Sequence, residues 1–110
     1  MVEIECLLNI KKDGQNYLNP AKIILLQKIA RLGSLRSAAK EMEISYQHAW
    51  NMIDEMNRLA PEPLVIKQRG GTTGGGASVS SYGSKILNEY SIIKQQLDKT
   101  INQIKVEIGM

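Results

Sequence analysis

The chain has 110 residues, 43% of them hydrophobic and 23% charged, with a formal net charge of +3. That is enough apolar side chain for one packed domain, which excludes a generically disordered chain, and no apolar run approaches the ~20 residues of a membrane span. Cys6 and His48 are each the only residue of their type, which excludes an intrachain disulfide and a Cys/His zinc site built by one chain. Glu3 and Glu5 stand where a signal peptide would carry Lys or Arg, so a cytoplasmic location is expected.

Ile4 to Lys12 reads as a strand, with Cys6 as a small core residue within it. Asp13-Gly14 is a hairpin turn signal, and Gln15 to Leu18 is the return strand. Asn19 then caps a helix that has Pro20 in its first turn, with Ile23, Leu26, Ile29 and Ala30 at helical spacing and Gly33 as the stop. Ser34 caps a short second helix that buries Leu35, Ala38, Ala39 and Met42. Glu43-Ile44-Ser45 forms the turn, and Ser45 caps a third helix from Tyr46 to about Leu59. Its inward stripe is Ala49, Met52, Ile53 and Met56, and Pro61 and Pro63 end it.

Leu64 to Ile66 is a strand, followed by Lys67-Gln68-Arg69 and a glycine-rich stretch, with a second strand from Ala77 to Ser80. Five of the nine glycines lie between residues 70 and 76, as in a hairpin tip. From Ser81 or Tyr82 to Ile108 the pattern is one long helix. Ile86, Tyr90, Ile93, Leu97, Ile101, Ile104 and Ile108 are spaced 4, 3, 4, 4, 3, 4, which approximates a coiled-coil seam.

The most informative constellation is Ser34 to Ile53. Two short helices, a tight turn and the small pair Ala38-Ala39 describe a helix-turn-helix. The exposed start of its second helix offers Tyr46, Gln47, His48 and Asn51. Gln and Asn can bond adenine edges in the major groove, and Ser45 at the helix N-terminus suits a phosphate. The bland alternative is an αα-hairpin with a polar face. The glycine-rich hairpin favours the first reading, because a wing there would bring Lys67, Arg69 and backbone N–H groups to neighbouring phosphates. A nucleotide-binding loop is a poor fit: the G-x-x-x-x-G-K-[ST] spacing is absent, and a strand follows instead of a helix. Charge placement agrees. Between Pro20 and Lys85 there are nine basic residues against five acidic ones.

These residues resemble the N-terminal winged-helix domain of ModE-type molybdate-responsive transcription regulators. The matching text is Gly33-Ser34-Leu35-Arg36-Ser37-Ala38-Ala39-Lys40, then Ile44-Ser45-Tyr46-Gln47-His48-Ala49-Trp50. It continues through Met56-Asn57-Arg58-Leu59, Glu62-Pro63-Leu64-Val65, and Gly70-Gly71 with Gly74-Gly75-Gly76-Ala77. LysR-type regulators share the Ser-Leu-x-x-Ala-Ala helix but generally lack this wing. The resemblance covers about residues 3 to 95 and implies a dimer on a palindromic operator. It departs at Glu43, which stands where the family usually has Gly. The molybdate-binding domains of full-length members have no counterpart here, so molybdate is not expected in this chain.

The expected fold is mainly α with small β, a winged helix-turn-helix. An N-terminal β-hairpin, a three-helix core and a two-stranded wing make a DNA-binding domain of residues 1–81. The long helix of residues 82–110 dimerises, with Tyr90, Ile93, Leu97, Ile101 and Ile104 in its seam. The recognition helix is about 45–59 and the wing 67–78. Expected DNA contacts are Ser34, Arg36, Ser45, Tyr46, Gln47, His48, Asn51, Lys67, Arg69, Gly74 and Gly75. No cofactor or catalysis is expected, since no paired carboxylates, nucleophile–base set or metal cluster is evident. The alternative is a protein-interaction module that pairs with a partner regulator through the long helix without reading DNA.

Overall fold

The computed structural model describes residues 2–68 and 76–109. The elements in order are β1 (Ile10–Lys12), β2 (Gln15–Leu18), α1 (Pro20–Leu32), α2 (Leu35–Glu41), α3 (Tyr46–Leu59), β3 (Val65–Lys67), β4 (Ala77–Val79) and α4 (Ser81–Ile108). β1 pairs antiparallel with β2, and β3 with β4, as two separate two-stranded sheets.

The helix ends follow their capping residues. Asn19, Ser34, Ser45 and Ser80 each accept a backbone N–H from three residues on: Lys22 at 2.8 Å, Ser37 at 3.1 Å, His48 at 3.0 Å and Gly83 at 2.9 Å. Gly33, at φ 66°, closes α1 by donating to Ile29. Asp13 and Gly14 both take positive φ, as the tight β1–β2 turn requires.

The expectations of a strand from Ile4 and of Cys6 in the core need correction. The first strand is only Ile10–Lys12, because the described residues before it have no partner strand; they lie beside α4 instead, where Leu8 and Cys6 accept from Tyr90 and Lys94. Cys6 is accordingly half-buried on this arm and not a core residue. Glu43 does adopt the left-handed conformation, at φ 58°. It is the first residue past the cap in a Schellman turn, where Ile44 donates to Ala39 and Glu43 to Lys40, each at 3.1 Å.

The core gathers Leu25, Leu26 and Ile29 of α1, Leu35, Ala38 and Ala39 of α2, and Ala49, Ile53 and Met56 of α3. Leu64, Val65 and Ala77 of the wing root close one side, and Ile86 and Tyr90 of α4 another. The two alanines let α2 cross α3 closely, since a larger side chain would push the axes apart. α4 draws equally near the wing root. A Cβ on Gly83 would meet the Leu64 carbonyl oxygen at 2.3 Å.

The N-terminal hairpin braces α3. The Lys12 ammonium donates to the carbonyl of Leu59 in the last turn of α3 at 2.6 Å, where the helix dipole favours a cation. Lys22, 4% exposed, donates to the Asn16 carbonyl at 2.6 Å and pairs with Glu55 of α3, which satisfies the buried charge.

Candidate nucleic-acid interface

α3 divides into faces by its 100° advance per residue. Ala49, Ile53, Met56 and Leu59 turn inward. Opposite them Gln47, Asn51, Asp54 and Arg58, at steps of four, three and four, are all exposed. Gln47 Nε2 donates to Asn51 Oδ1 at 2.9 Å, so the two amides present themselves as a unit. His48 is exposed but lies about 100° round the helix from Gln47, off this row. Arg58 joins the row although sequence reasoning left it out. The continuation of the Gln47–Asn51–Asp54 spacing was the available signal.

One flank of α3 is occupied by stacked cations. Arg36 of α2 lies 4.9 Å from the ring centroid of Tyr46, and Lys67 of β3 lies 3.5 Å from that of Trp50. Trp50 is half-buried. On the same flank Asn57 clamps the wing root. Its Oδ1 accepts from Leu64 N–H at 2.8 Å and Val65 N–H at 3.3 Å, and its Nδ2 donates to the Val65 carbonyl at 3.0 Å. Nothing in the sequence flagged Asn57, since its partners come from a strand that only the fold brings alongside.

These contacts set a direction. Asn57, late in α3, meets residues 64–65, while Trp50, two turns earlier, meets Lys67. β3 therefore runs antiparallel to α3, toward the end that Ser45 caps. The returning strand enters beside α2: Ser34 and Gly76 form an isolated bridge, and Ala77 donates to the Gly33 carbonyl at 3.2 Å. Arg36 thus meets Tyr46, Lys67 meets Trp50 and Gln47 meets Asn51 along α3, with Ser45 at its start, while Ser34 meets Gly76 at the wing root. Arg69, Gly74 and Gly75 lie outside the described residues.

Charge is sorted in the same way. Lys28 and Arg31 of α1 converge on Glu41, whose carboxyl is held below its ordinary value by the Lys28 hydrogen bond and by Arg31. Arg36, Lys40, Arg58 and Lys67 on α2, α3 and β3 carry no carboxylate partner among the described residues, and neither do Lys11 and Lys12 of β1 or Lys99 and Lys105 of α4. No cluster of three or more His, Cys, Asp or Glu side chains able to hold a metal is found among the described residues. Likewise no described helix is long and apolar enough to cross a membrane.

A three-helix core, a capped and outward-facing third helix and a two-stranded hairpin docked along it define a winged helix-turn-helix protein. Comparison with known proteins narrows this. No family model matches the chain. The transcriptional regulator ModE of Haemophilus influenzae is 31% identical over 107 residues, which is 97% of this chain and 42% of that protein. The DNA-binding transcriptional dual regulator ModE of Escherichia coli is 37% identical over 101 residues, 92% of this chain and 38% of that protein. Among solved structures, Lactococcus lactis ZitR superposes at a TM-score of 0.58 over 94% of this chain and 70% of that one, with 14% identity, a likeness of fold. The chain is a homologue of the ModE-type transcription regulators, and it spans about two-fifths of the length of the relatives it matches.

Proposed function

We propose that the chain is a sequence-specific double-stranded DNA-binding regulator of transcription that works as a homodimer. The observation that carries this is the uncovered row Gln47, Asn51, Asp54 and Arg58 on α3, with the wing root fixed along the neighbouring flank. α3 enters the major groove, where Asn51 and Gln47 bond adenine edges, and the wing lies on the adjacent phosphates. Ser45 and the α3 N-terminus face a phosphate. DNA binding by the Escherichia coli relative supports this reading. The dimer forms through α4, and its two-fold axis matches a palindromic operator.

The test is selection of bound duplexes from a random or genomic pool at two salt concentrations. The expected result is one inverted repeat recovered at both. Weak, salt-labile binding without a motif overturns the reading. Asn51→Ala relaxes base preference at one position of each half-site, whereas Arg69→Ala weakens all sequences alike. Uniform loss in both variants places the reading face elsewhere.

A second reading draws on the apolar residues left open on α4, with Ile93 42%, Ile104 43% and Ile108 48% exposed. In it the chain pairs with a partner regulator and does not read DNA itself. A stable heterodimer with no salt-dependent duplex binding would favour that reading.

A further inference from the structure

We propose that Lys67 is a positioning residue, whose ammonium is committed to the Trp50 indole and fixes the end of β3 against the recognition helix instead of contacting a phosphate. This rests on the reading of α3 as a DNA-recognition helix and assigns one residue of that site a different task.

Register is the first argument. Side chains alternate along β3, so Val65 and Lys67 share one side of the strand and Ile66 takes the other. Val65 is 2% exposed and Ile66 51% exposed. Lys67 is also exposed, at the edge of the side that Val65 buries. From that edge it reaches Trp50, with Lys67 Nζ 3.5 Å from the ring centroid. Indole is the strongest of the aromatic acceptors for a cation, and a four-carbon stem lying along it packs as well as pairs.

The second argument is mechanical. Asn57 holds β3 at Leu64 and Val65 through three hydrogen bonds. The strand's far end is tied to the α1–α2 corner only indirectly, through β4 and Ala77 on Gly33. Trp50 lies seven residues before Asn57 on the same flank of α3, about 10 Å away along the axis. An attachment there adds a direct hold on α3 and helps set the angle at which the strand leaves the helix. Lys67 is the last residue of β3, so it is the final point at which the helix can control that angle.

The test uses the whole chain and its single tryptophan, so emission reports the surroundings of Trp50. Lys67→Gln is expected to change Trp50 emission in the free protein. It is also expected to weaken binding to the selected duplex about fivefold with an unchanged salt slope. Trp50→Phe is expected to weaken binding by a similar factor, and the double variant by no more than either single one. Three results would each overturn the proposal: unchanged emission in Lys67→Gln, a salt slope reduced by about one, or losses that multiply in the double variant. If the wild-type chain selects no duplex, the functional reading fails by itself, while the emission of free Lys67→Gln still decides whether the stack exists.

Discussion

The two halves of α4 carry one apolar repeat and live in different surroundings. Up to Tyr90 the stripe is interior: Ile86 is 9% and Tyr90 6% exposed, and the Tyr90 hydroxyl donates to the Leu8 carbonyl at 2.7 Å. From Ile93 onward the same stripe stands open, with only Leu97 and Ile101 half-covered. Tyr90, grouped with the dimer seam in the sequence reading, is already used inside its own domain, so the surface left for a second copy begins one step later. A heptad-like repeat records that a stripe will be covered, and does not record by what.

The largest expected effect tests how tightly the first half is seated. Gly83→Ala should cost about 3 kcal/mol in a denaturant titration, because the added carbon meets backbone of Leu64 and the Val79 side chain at 2.7 Å, and backbone cannot swing aside. Asn102→Ala in the open half should leave stability within about 0.5 kcal/mol. Equal effects would erase the contrast.

Next come paired truncations. Ile86→Ala should cost about 3 kcal/mol at every protein concentration. Ile104→Ala should change little in dilute protein and remove any concentration dependence of the midpoint, the signature of lost self-association. A concentration-independent loss in Ile104→Ala would mean that the far half is held within one chain.

Tyr90→Phe should cost about 1 kcal/mol, since it removes the donor to Leu8 and leaves the ring in place. The smallest effect at neutral pH belongs to Tyr17→Phe. The Tyr17 hydroxyl is buried beside Tyr82 and makes no well-formed hydrogen bond among the described residues, so its removal should be neutral or slightly stabilising. Burial, with Tyr82 and Glu89 of the seated half nearby, pushes its phenol up to about 12. The folded chain therefore keeps a proton that the unfolded chain releases above about pH 10, and stability should fall as pH rises from 10 toward 12. Tyr17→Phe should flatten that decline, measured by denaturant midpoints across the range. Tyr90, also raised by burial, and Lys94, raised by its hydrogen bond to Asp98, act in the same direction.

Much of the fold was legible because its signals are local. Asn19, Ser34, Ser45 and the glycine at 33 act on N–H and C=O groups within one turn, and the boundaries of α1, α2 and α3 fell where those residues stand. The first strand was overextended because a strand exists only where a partner does, and β2 reaches no further than Ile10. Glu43 was hard to read for the same kind of reason. Its φ is imposed by the Schellman turn joining α2 to α3, and the residue merely tolerates it. At the candidate interface, Gln47 and Asn51 could be placed by helical periodicity alone. The clamp by Asn57, the burial of Lys22 and the two cation–aromatic stacks could not, because each joins residues from different elements whose approach is a property of the packed chain.

The tethers of the N-terminal arm bear on the order of assembly. Asn57 reaches Leu64 and Val65 across seven and eight residues, whereas Tyr90 meets Leu8 across 82 and Lys94 meets Cys6 across 88. Closing a loop of the longer kind costs about 2 kcal/mol more chain entropy than the shorter. Lys12 on Leu59, across 47 residues, falls between. α3 and the strand docked along it can thus form from neighbouring sequence, while the arm before Ile10 needs α4 in place to make its contacts. Loop-closure entropy favours an order from the middle of the chain outward, with the contact between its beginning and its end the most costly to close.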